Sequence, residues 1–202
     1  MLIASVMAAA MASCPVAQDR AAEAQRPAPP KGVSGEIVTV AEDRVDLRQK
    51  DGALITVPMS KGWTLSYLEK ATPAALQVGQ FIGSANMALG EAHGKANELR
   101  VFEAGYMPEF GTHVLTAPNA AEGTRMTHGF VFGLEKTGAT VRLQVAYPAG
   151  CRVLDVASDL PVMVSVAVDR ALARQGVVVA AVMRPDQNGV IRAGRLTLPA
   201  KP

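Results

Sequence analysis

The stretch at residues 76–102 reads LQVGQFIGSANMALGEAHGKANELRVF, and most of the structural prediction depends on how it is interpreted. Its four glycines, at positions 79, 83, 90 and 94, look at first like a loop that wraps a phosphate. A phosphate-binding glycine loop, however, follows a strand, opens a helix and continues into Lys-Ser or Lys-Thr. Here Gly79 follows a short helical pattern and precedes two strand patterns. The glycines therefore predict turns of the backbone and not a nucleotide site.

Strand patterns lie on both sides of this stretch. The segments GEIVTV, DRVDLRQ and ALITVPM alternate apolar and polar residues, and the pair Asp51-Gly52 predicts a hairpin between the second and third. Thr72 and Pro73 then predict the start of a short helix that ends before Gly79. The segments QFIGSANM and NELRVF predict two further strands. The predicted order is three strands, a short helix and two strands.

The second half of the chain repeats this order. Val45 and Leu47 have counterparts in Val141 and Leu143, and Gly79 has one in Gly176, each roughly a hundred residues further along. The matching positions are mostly apolar residues and glycines. The pattern predicts a tandem repeat of one β unit.

The predicted fold class is all-β with short helices, arranged as two tandem OB-like small β-barrels, because this strand order is that of an OB-type barrel. One larger β-sandwich or barrel built from both halves is the alternative. The predicted divisions are a signal peptide at 1–24, a Pro-rich tether at 25–32, an OB-like unit at 33–103, a linker at 104–126 and a second OB-like unit at 127–199.

Composition and the N-terminus predict an exported protein. The first residues, MLIASVMAAAMASCPVA, form an apolar run that is followed by small residues at Ala22 and Ala24, which is typical of a secretory signal and predicts a periplasmic location. No second run of this kind occurs, so no transmembrane span is predicted. Cys14 lies in a sequence that approaches the lipoprotein pattern, which leaves a lipid anchor open. A net charge of +2 with scattered Lys and Arg argues against nucleic acid as a partner.

Three phrases of the sequence, VGQFIGSA, ANELRVFEAGYMPEFGTH and TRMTHGFV, resemble a family of uncharacterised exported bacterial proteins with OB-like β-repeats. The resemblance covers roughly residues 33–199. In its central segment, Phe102, Met107, His113, Met126 and Thr127 match the family pattern, whereas Pro108, Thr112 and His128 depart from it. The resemblance implies the two-unit fold and no defined activity. Some members of the family carry an inherited label of metal-transporter permease, which a chain without predicted membrane spans does not support.

Sulfur and imidazole donors gather in the central segment. Met107, His113, Met126 and His128 are predicted as a metal site, and copper is the metal that thioether and imidazole ligands favour in an oxidising compartment. The alternative is that the methionines pack beneath loops and the histidines are solvated. The tight histidine spacing of a zinc site is missing.

Binding is the predicted function, since a catalytic set is hard to assemble from this sequence. No serine lies in a Gly-x-Ser-x-Gly elbow. A hydrolase remains an alternative, because folding can bring two carboxylates together from distant parts of the sequence. Trp63 and Tyr67, in KGWTLSYLEK, are the predicted ligand-binding pair, with packing at a barrel end as the alternative. We therefore expect an exported, non-enzymatic protein that binds an envelope protein or a small ligand. A periplasmic copper-binding accessory protein is the alternative.

Overall fold

The computed structural model describes residues 31–115, 120–186 and 188–202. The predicted signal peptide with Cys14, and all of the predicted tether except Lys31 and Gly32, lie outside these ranges.

Regular structure in the described ranges consists of twelve strands and two single-turn 3₁₀ helices. The strands are β1 (Lys31–Val40), β2 (Arg44–Arg48), β3 (Leu54–Ala71), β4 (Phe81–Ala88), β5 (His93–Val101), β6 (Gly111–Val114), β7 (Thr124–Thr137), β8 (Thr140–Tyr147), β9 (Gly150–Ala157), β10 (Val162–Val168), β11 (Val178–Pro185) and β12 (Ile191–Thr197). The first 3₁₀ helix is Pro73–Ala75 and the second is Arg170–Leu172. The predicted all-β barrel class is confirmed.

The first barrel is a closed ring of five strands. β1 pairs with β2 and β2 with β3, both antiparallel, as the period-two patterns predict. β3 then pairs in parallel with β12, β12 pairs with β11, and β11 returns to β1. Three strands of this ring come from the first half of the chain and two from the second.

The second barrel is closed in the same way with the halves reversed. β7, β8 and β9 form an antiparallel meander. β9 pairs in parallel with β5, β5 pairs with β4, and β4 returns to β7. The first half of the chain therefore supplies the last two strands of the second barrel.

The two predicted units, residues 33–103 and 127–199, would in the simplest case each close a barrel alone. The structure differs from that arrangement by an exchange of strands. The two segments place their strands in similar order, and each gives its last two strands to the other's barrel. The edge of β1 is paired by β11, and the edge of β7 is paired by β4. Closing each ring with strands of the other half leaves the same edges paired.

A seam of strands joins the barrels. The second part of β3 continues beyond the first ring and pairs antiparallel with β10, from Leu65 to Ala71. β10 also pairs in parallel with β5 at Leu99–Val101. All of the strands thus belong to one twelve-stranded sheet.

Each barrel has its own apolar core. The first core includes Ile37, Leu47, Val57, Leu65 and Leu196, and the second includes Ile82, Leu99, Leu143, Leu154 and Val156, all of them essentially inaccessible to water. Burial of a side chain of this size stabilises the fold by about 1.5–3 kcal/mol. Both cores draw on residues of both halves, so neither is complete without the strand exchange.

Two glycines lie in turns, and not in a phosphate-binding loop. Gly79 and Gly176 follow the two 3₁₀ helices and have φ of 91° and 85°, a conformation that L side chains rarely adopt. Gly83 lies inside β4. Of the four glycines of residues 76–102, Gly79 and Gly90 thus lie between regular elements as predicted, whereas Gly83 and Gly94 lie inside strands β4 and β5.

The predicted linker at 104–126 contains regular structure. β6 lies within it and pairs antiparallel with β7, and β7 itself begins at Thr124. β1 similarly begins at Lys31, within the predicted tether. Residues 102–110, between β5 and β6, are called the connecting segment below.

Candidate functional site

The connecting segment is anchored to the first barrel by a buried ion pair. Arg195 Nη1 donates to Glu103 Oε2 at 3.0 Å, and the two side chains are only 7% and 3% exposed. Thr64 Oγ1 donates to the other carboxylate oxygen at 3.1 Å. The Arg195 guanidinium also lies 4.2 Å from the ring centroid of Tyr106. Separating a buried ion pair is costly because it leaves each charge without its partner. The contact between Glu103 and Arg195 therefore holds the start of the connecting segment against the first barrel.

Aromatic rings fill the space beneath the connecting segment. Phe81 of β4 contacts Phe102, Phe110 and Phe130, with ring centroids 5.1–5.9 Å apart. Phe110 and Phe130 nevertheless remain about two-fifths exposed. These four rings, called the aromatic cluster, hold the segment against β4 and β7 of the second barrel.

Three of the four predicted metal ligands lie on one hairpin. His113 of β6 is the register partner of Met126 of β7, and His128 lies two residues further along β7. Residues opposite one another, and residues two apart on a strand, share a face. Met107 lies in the connecting segment and is half exposed. Within the described ranges no group of three or more His, Cys, Asp or Glu side chains is arranged to hold a metal ion.

Glu109 is the residue that brings the two histidines together. Its Oε1 lies 3.4 Å from His113 Nδ1, and its Oε2 lies 3.8 Å from His128 Nδ1. Arg184 Nη1 of β11 donates to Oε2 at 3.3 Å, across the junction between the barrels. The set of Arg100, Glu109, His113, His128 and Arg184 is called the Glu109 cluster below.

His128 is the most buried member of this cluster. Its side chain is 6% exposed and packs over Gly83, where an added Cβ would lie 2.7 Å from the imidazole ring. Burial, followed by the positive charges of Arg184 and other neighbours, lowers the pKa of His128 to about 3. The ring is therefore neutral at neutral pH.

Sequence reasoning missed Arg100, Glu109 and Arg184. Glu109 and Arg184 are 75 residues apart in sequence, and their contact joins the connecting segment to β11 of the first barrel. Arg100 faces His128 across Gly83, since Gly83 is the register partner of both. No spacing in the sequence signals either encounter.

Trp63 and Tyr67, the predicted ligand-binding pair, point into the core of the first barrel. They are 3% and 4% exposed, and Tyr67 Oη donates to Glu69 at 2.7 Å. Trp63 also lines an open cavity of about 530 Å³, together with the turn after β1 and the second 3₁₀ helix. The Arg170 guanidinium lies 4.8 Å from the Trp63 ring centroid. The residues are thus placed chiefly by packing, and only Trp63 of the pair borders a cavity.

A second cavity, also of about 530 Å³, lies on the outer face of the second barrel. Side chains of alternating charge cross it in register. Glu135 of β7 is opposite Arg142 of β8, Arg142 is opposite Asp155 of β9, and Asp155 is opposite Lys95 of β5. The rest of the lining is Leu89, Thr137, Thr140 and Ala157. We call this surface the charged groove.

Asp155 is held firmly at the centre of the charged groove. Arg142 Nε donates to its Oδ1 at 2.9 Å, and His93 Nε2 lies 2.8 Å from its Oδ2. Partial burial raises the pKa of Asp155, but the hydrogen bonds from Arg142 and His93 outweigh it and bring the pKa below its ordinary value. The carboxylate is therefore ionised at neutral pH.

Comparison of the chain with protein-family models, curated proteins and solved structures finds no match. The resemblance to the exported family with OB-like repeats stays a prediction. None of the helices among the described residues has the length and hydropathy needed to cross a membrane. The function proposed for the chain therefore rests on its fold and on the geometry of its sites.

Proposed function

We propose that this protein is an exported binding protein without catalytic activity, and that the charged groove is its ligand site. The observation that carries the proposal is the position of the groove. It lies over the second and third strands of the second barrel, β8 and β9, and beside the β7–β8 and β4–β5 loops. OB-type barrels bind their ligands on this face and between these two loops.

The lining of the groove selects the class of ligand. No aromatic ring lines it, and its two carboxylates repel phosphates, so single-stranded nucleic acid is a poor fit. The row of alternating charge complements a ligand that carries both signs, such as a segment of another envelope protein with acidic and basic side chains. Complementary charges of this kind set specificity and association rate more than affinity.

The experiment that tests this proposal is a crosslinking pull-down from periplasmic extract with quantitative comparison of variants. The double variant Lys95→Gln/Arg142→Gln removes both cations of the groove. The matched control is Lys50→Gln, an exposed lysine in the β2–β3 turn of the first barrel. A partner that uses the groove is enriched by the wild type and the control and is lost with the double variant. Equal enrichment by all three proteins contradicts the proposal.

A second candidate function, periplasmic copper binding, is favoured by the shared face of His113, Met126 and His128. Closing a copper site there requires the Glu109 side chain to swing away or to become a ligand. Dialysed protein titrated with Cu(I) and Cu(II) tests this function, with His113→Ala/Met126→Ala as the variant. Stoichiometric binding at micromolar metal that the variant lacks supports it, and the absence of such binding in the wild type rejects it.

A further inference from the structure

The Glu109 cluster contains buried nitrogen atoms that accept or donate no hydrogen bond within the described part of the chain. Among the described residues, four buried side-chain polar atoms have no hydrogen-bond partner: Trp63 Nε1, Arg100 Nε, His128 Nδ1 and Arg184 Nε. Three of the four belong to this one cluster. Leaving a buried polar group without a partner costs about 1–3 kcal/mol, so a concentration of them points to a ligand.

The three nitrogen-bearing side chains come from different strands, and both arginines lie close enough to His128 for their charges to act on its ring. Arg100 of β5 and His128 of β7 flank Gly83, which has no side chain to separate them. Arg184 reaches the same place from the first barrel through its contact with Glu109. The charges of Arg184 and Arg100 both act on the His128 ring and contribute, after burial, to its low pKa.

The two arginines of the cluster face different carboxylates. Arg100 lies 3.9 Å from Glu98, whose side chain is 58% exposed, and Glu103 also acts on it, while burial and then the charge of Arg195 lower the pKa of Arg100. Arg184 has Glu109 at 3.3 Å. Both guanidinium groups are about two-thirds buried, and each keeps an Nε atom without a hydrogen-bond partner among the described residues.

We propose that the Glu109 cluster is a binding site for an oxyanion, and that the Glu109 carboxylate occupies the site until the oxyanion displaces it. The carboxylate is a poor fit, because its Oε2 remains 3.8 Å from His128 Nδ1 and its contact with Arg184 leaves Arg184 Nε without a partner. A phosphate group has more acceptor oxygens and more charge than a carboxylate, and an arginine guanidinium binds it through two parallel hydrogen bonds. This site is separate from the charged groove and does not depend on the function proposed for it.

Displacement of Glu109 is mechanically simple. The residue lies in the connecting segment, which has no regular secondary structure, and its side chain is one-third exposed. The buried anchor at Glu103 and Arg195 stays in place while the Glu109 end of the segment moves. Binding of an oxyanion therefore changes the contact between the connecting segment and His113 without disturbing either core.

The test is a phosphate titration at constant ionic strength, read by thermal unfolding and by calorimetry. The variant Glu109→Gln removes the competing charge, and we expect it to bind inorganic phosphate about tenfold more tightly than the wild type, the factor of roughly one charge-assisted hydrogen bond. The double variant Glu109→Gln/Arg184→Gln loses this binding. The matched control is Arg48→Gln, an exposed arginine of β2, which behaves as the wild type.

Titrations with methyl phosphate and with acetate in place of inorganic phosphate distinguish a phosphate ester from a carboxylate as the natural ligand group. A folded Glu109→Gln protein that binds none of the three probes more tightly than the wild type overturns the proposal. Should that variant unfold, the ring ¹⁵N resonances of His128 in the wild type give the answer. They shift on addition of phosphate if the site exists, and an unchanged spectrum rejects it.

Discussion

Gly83 sets how closely His128 and Phe102 approach β4. An added Cβ would lie 2.7 Å from the His128 ring and 2.9 Å from Phe102, so an alanine forces both rings to move. We expect Gly83→Ala to lower the free energy of unfolding by about 1–3 kcal/mol, measured by urea denaturation. Gly90→Ala is the matched control, because its Cβ would meet nothing within 4 Å and its φ is not positive. Equal effects of the two substitutions would contradict this packing.

His128 gives the fold a pH dependence of predictable sign. Its pKa is about 3 in the folded protein and 6.5 as an unperturbed group, so the unfolded chain binds more protons between those values. Stability is therefore full above pH 6.5 and falls as the pH drops toward 3, by at most about 1.4 kcal/mol per pH unit. Urea unfolding across this range should show a shallower slope for His128→Gln than for the wild type. Parallel slopes would show that His128 is not buried as a neutral ring.

Among the strands and helices, the strands of the repeat and the β2–β3 hairpin were predictable, whereas β6, β10 and the exchange of strands between the barrels were not. Alternation in GEIVTV and DRVDLRQ and the turn at Asp51-Gly52 predicted β1, β2 and β3, and Pro73 predicted the first 3₁₀ helix. Alternation indicates which residues face a core, but it does not say which of two similar strands completes the ring. The exchange of β4 and β5 for β11 and β12 therefore could not be predicted from the sequence.

The same limit applies to the candidate sites. The grouping of His113, Met126 and His128 could be predicted because the residues are near in sequence and β6 and β7 form a local hairpin. Arg184 and Arg100 join them only through the strand exchange. Trp63 and Tyr67 were predicted as a ligand pair from residue type, but the inward face of β3 buries both.

The connecting segment depends on the ion pair between Glu103 and Arg195. Glu103→Gln leaves the buried Arg195 charge without its counter-charge, and we expect a loss of about 3 kcal/mol in the free energy of unfolding. Glu98→Gln, which alters an exposed carboxylate 3.9 Å from Arg100, is the control and should change stability by less than about 0.5 kcal/mol. Denaturant unfolding of both variants provides the measurement. A Glu103→Gln protein as stable as the control would mean that the segment is held by other contacts.

At the scale of the whole molecule, the two halves are expected to fold only together. Each of the segments 31–115 and 120–202 lacks two strands of the barrel that it begins. Produced as separate chains and mixed, they should form a one-to-one complex with the circular dichroism spectrum of the intact protein, because all inter-half strand pairings can form between chains. Each fragment alone should be unfolded or self-associated. Size-exclusion chromatography with light scattering distinguishes these states, and a folded monomer of either fragment would argue against shared barrels.

β1 pairs with β11 and not with β4, and inter-strand nuclear Overhauser effects in isotope-labelled protein measure this pairing. Ser34 is the register partner of Ala180, and β3 is the parallel neighbour of β12 through Leu65 and Leu196. We predict backbone contacts from Ser34 to Ala180 and from Leu65 to Leu196. Contacts from Ser34 to β4 and from β3 to β5 within the first ring would show that each half closes its own barrel, and would contradict the account.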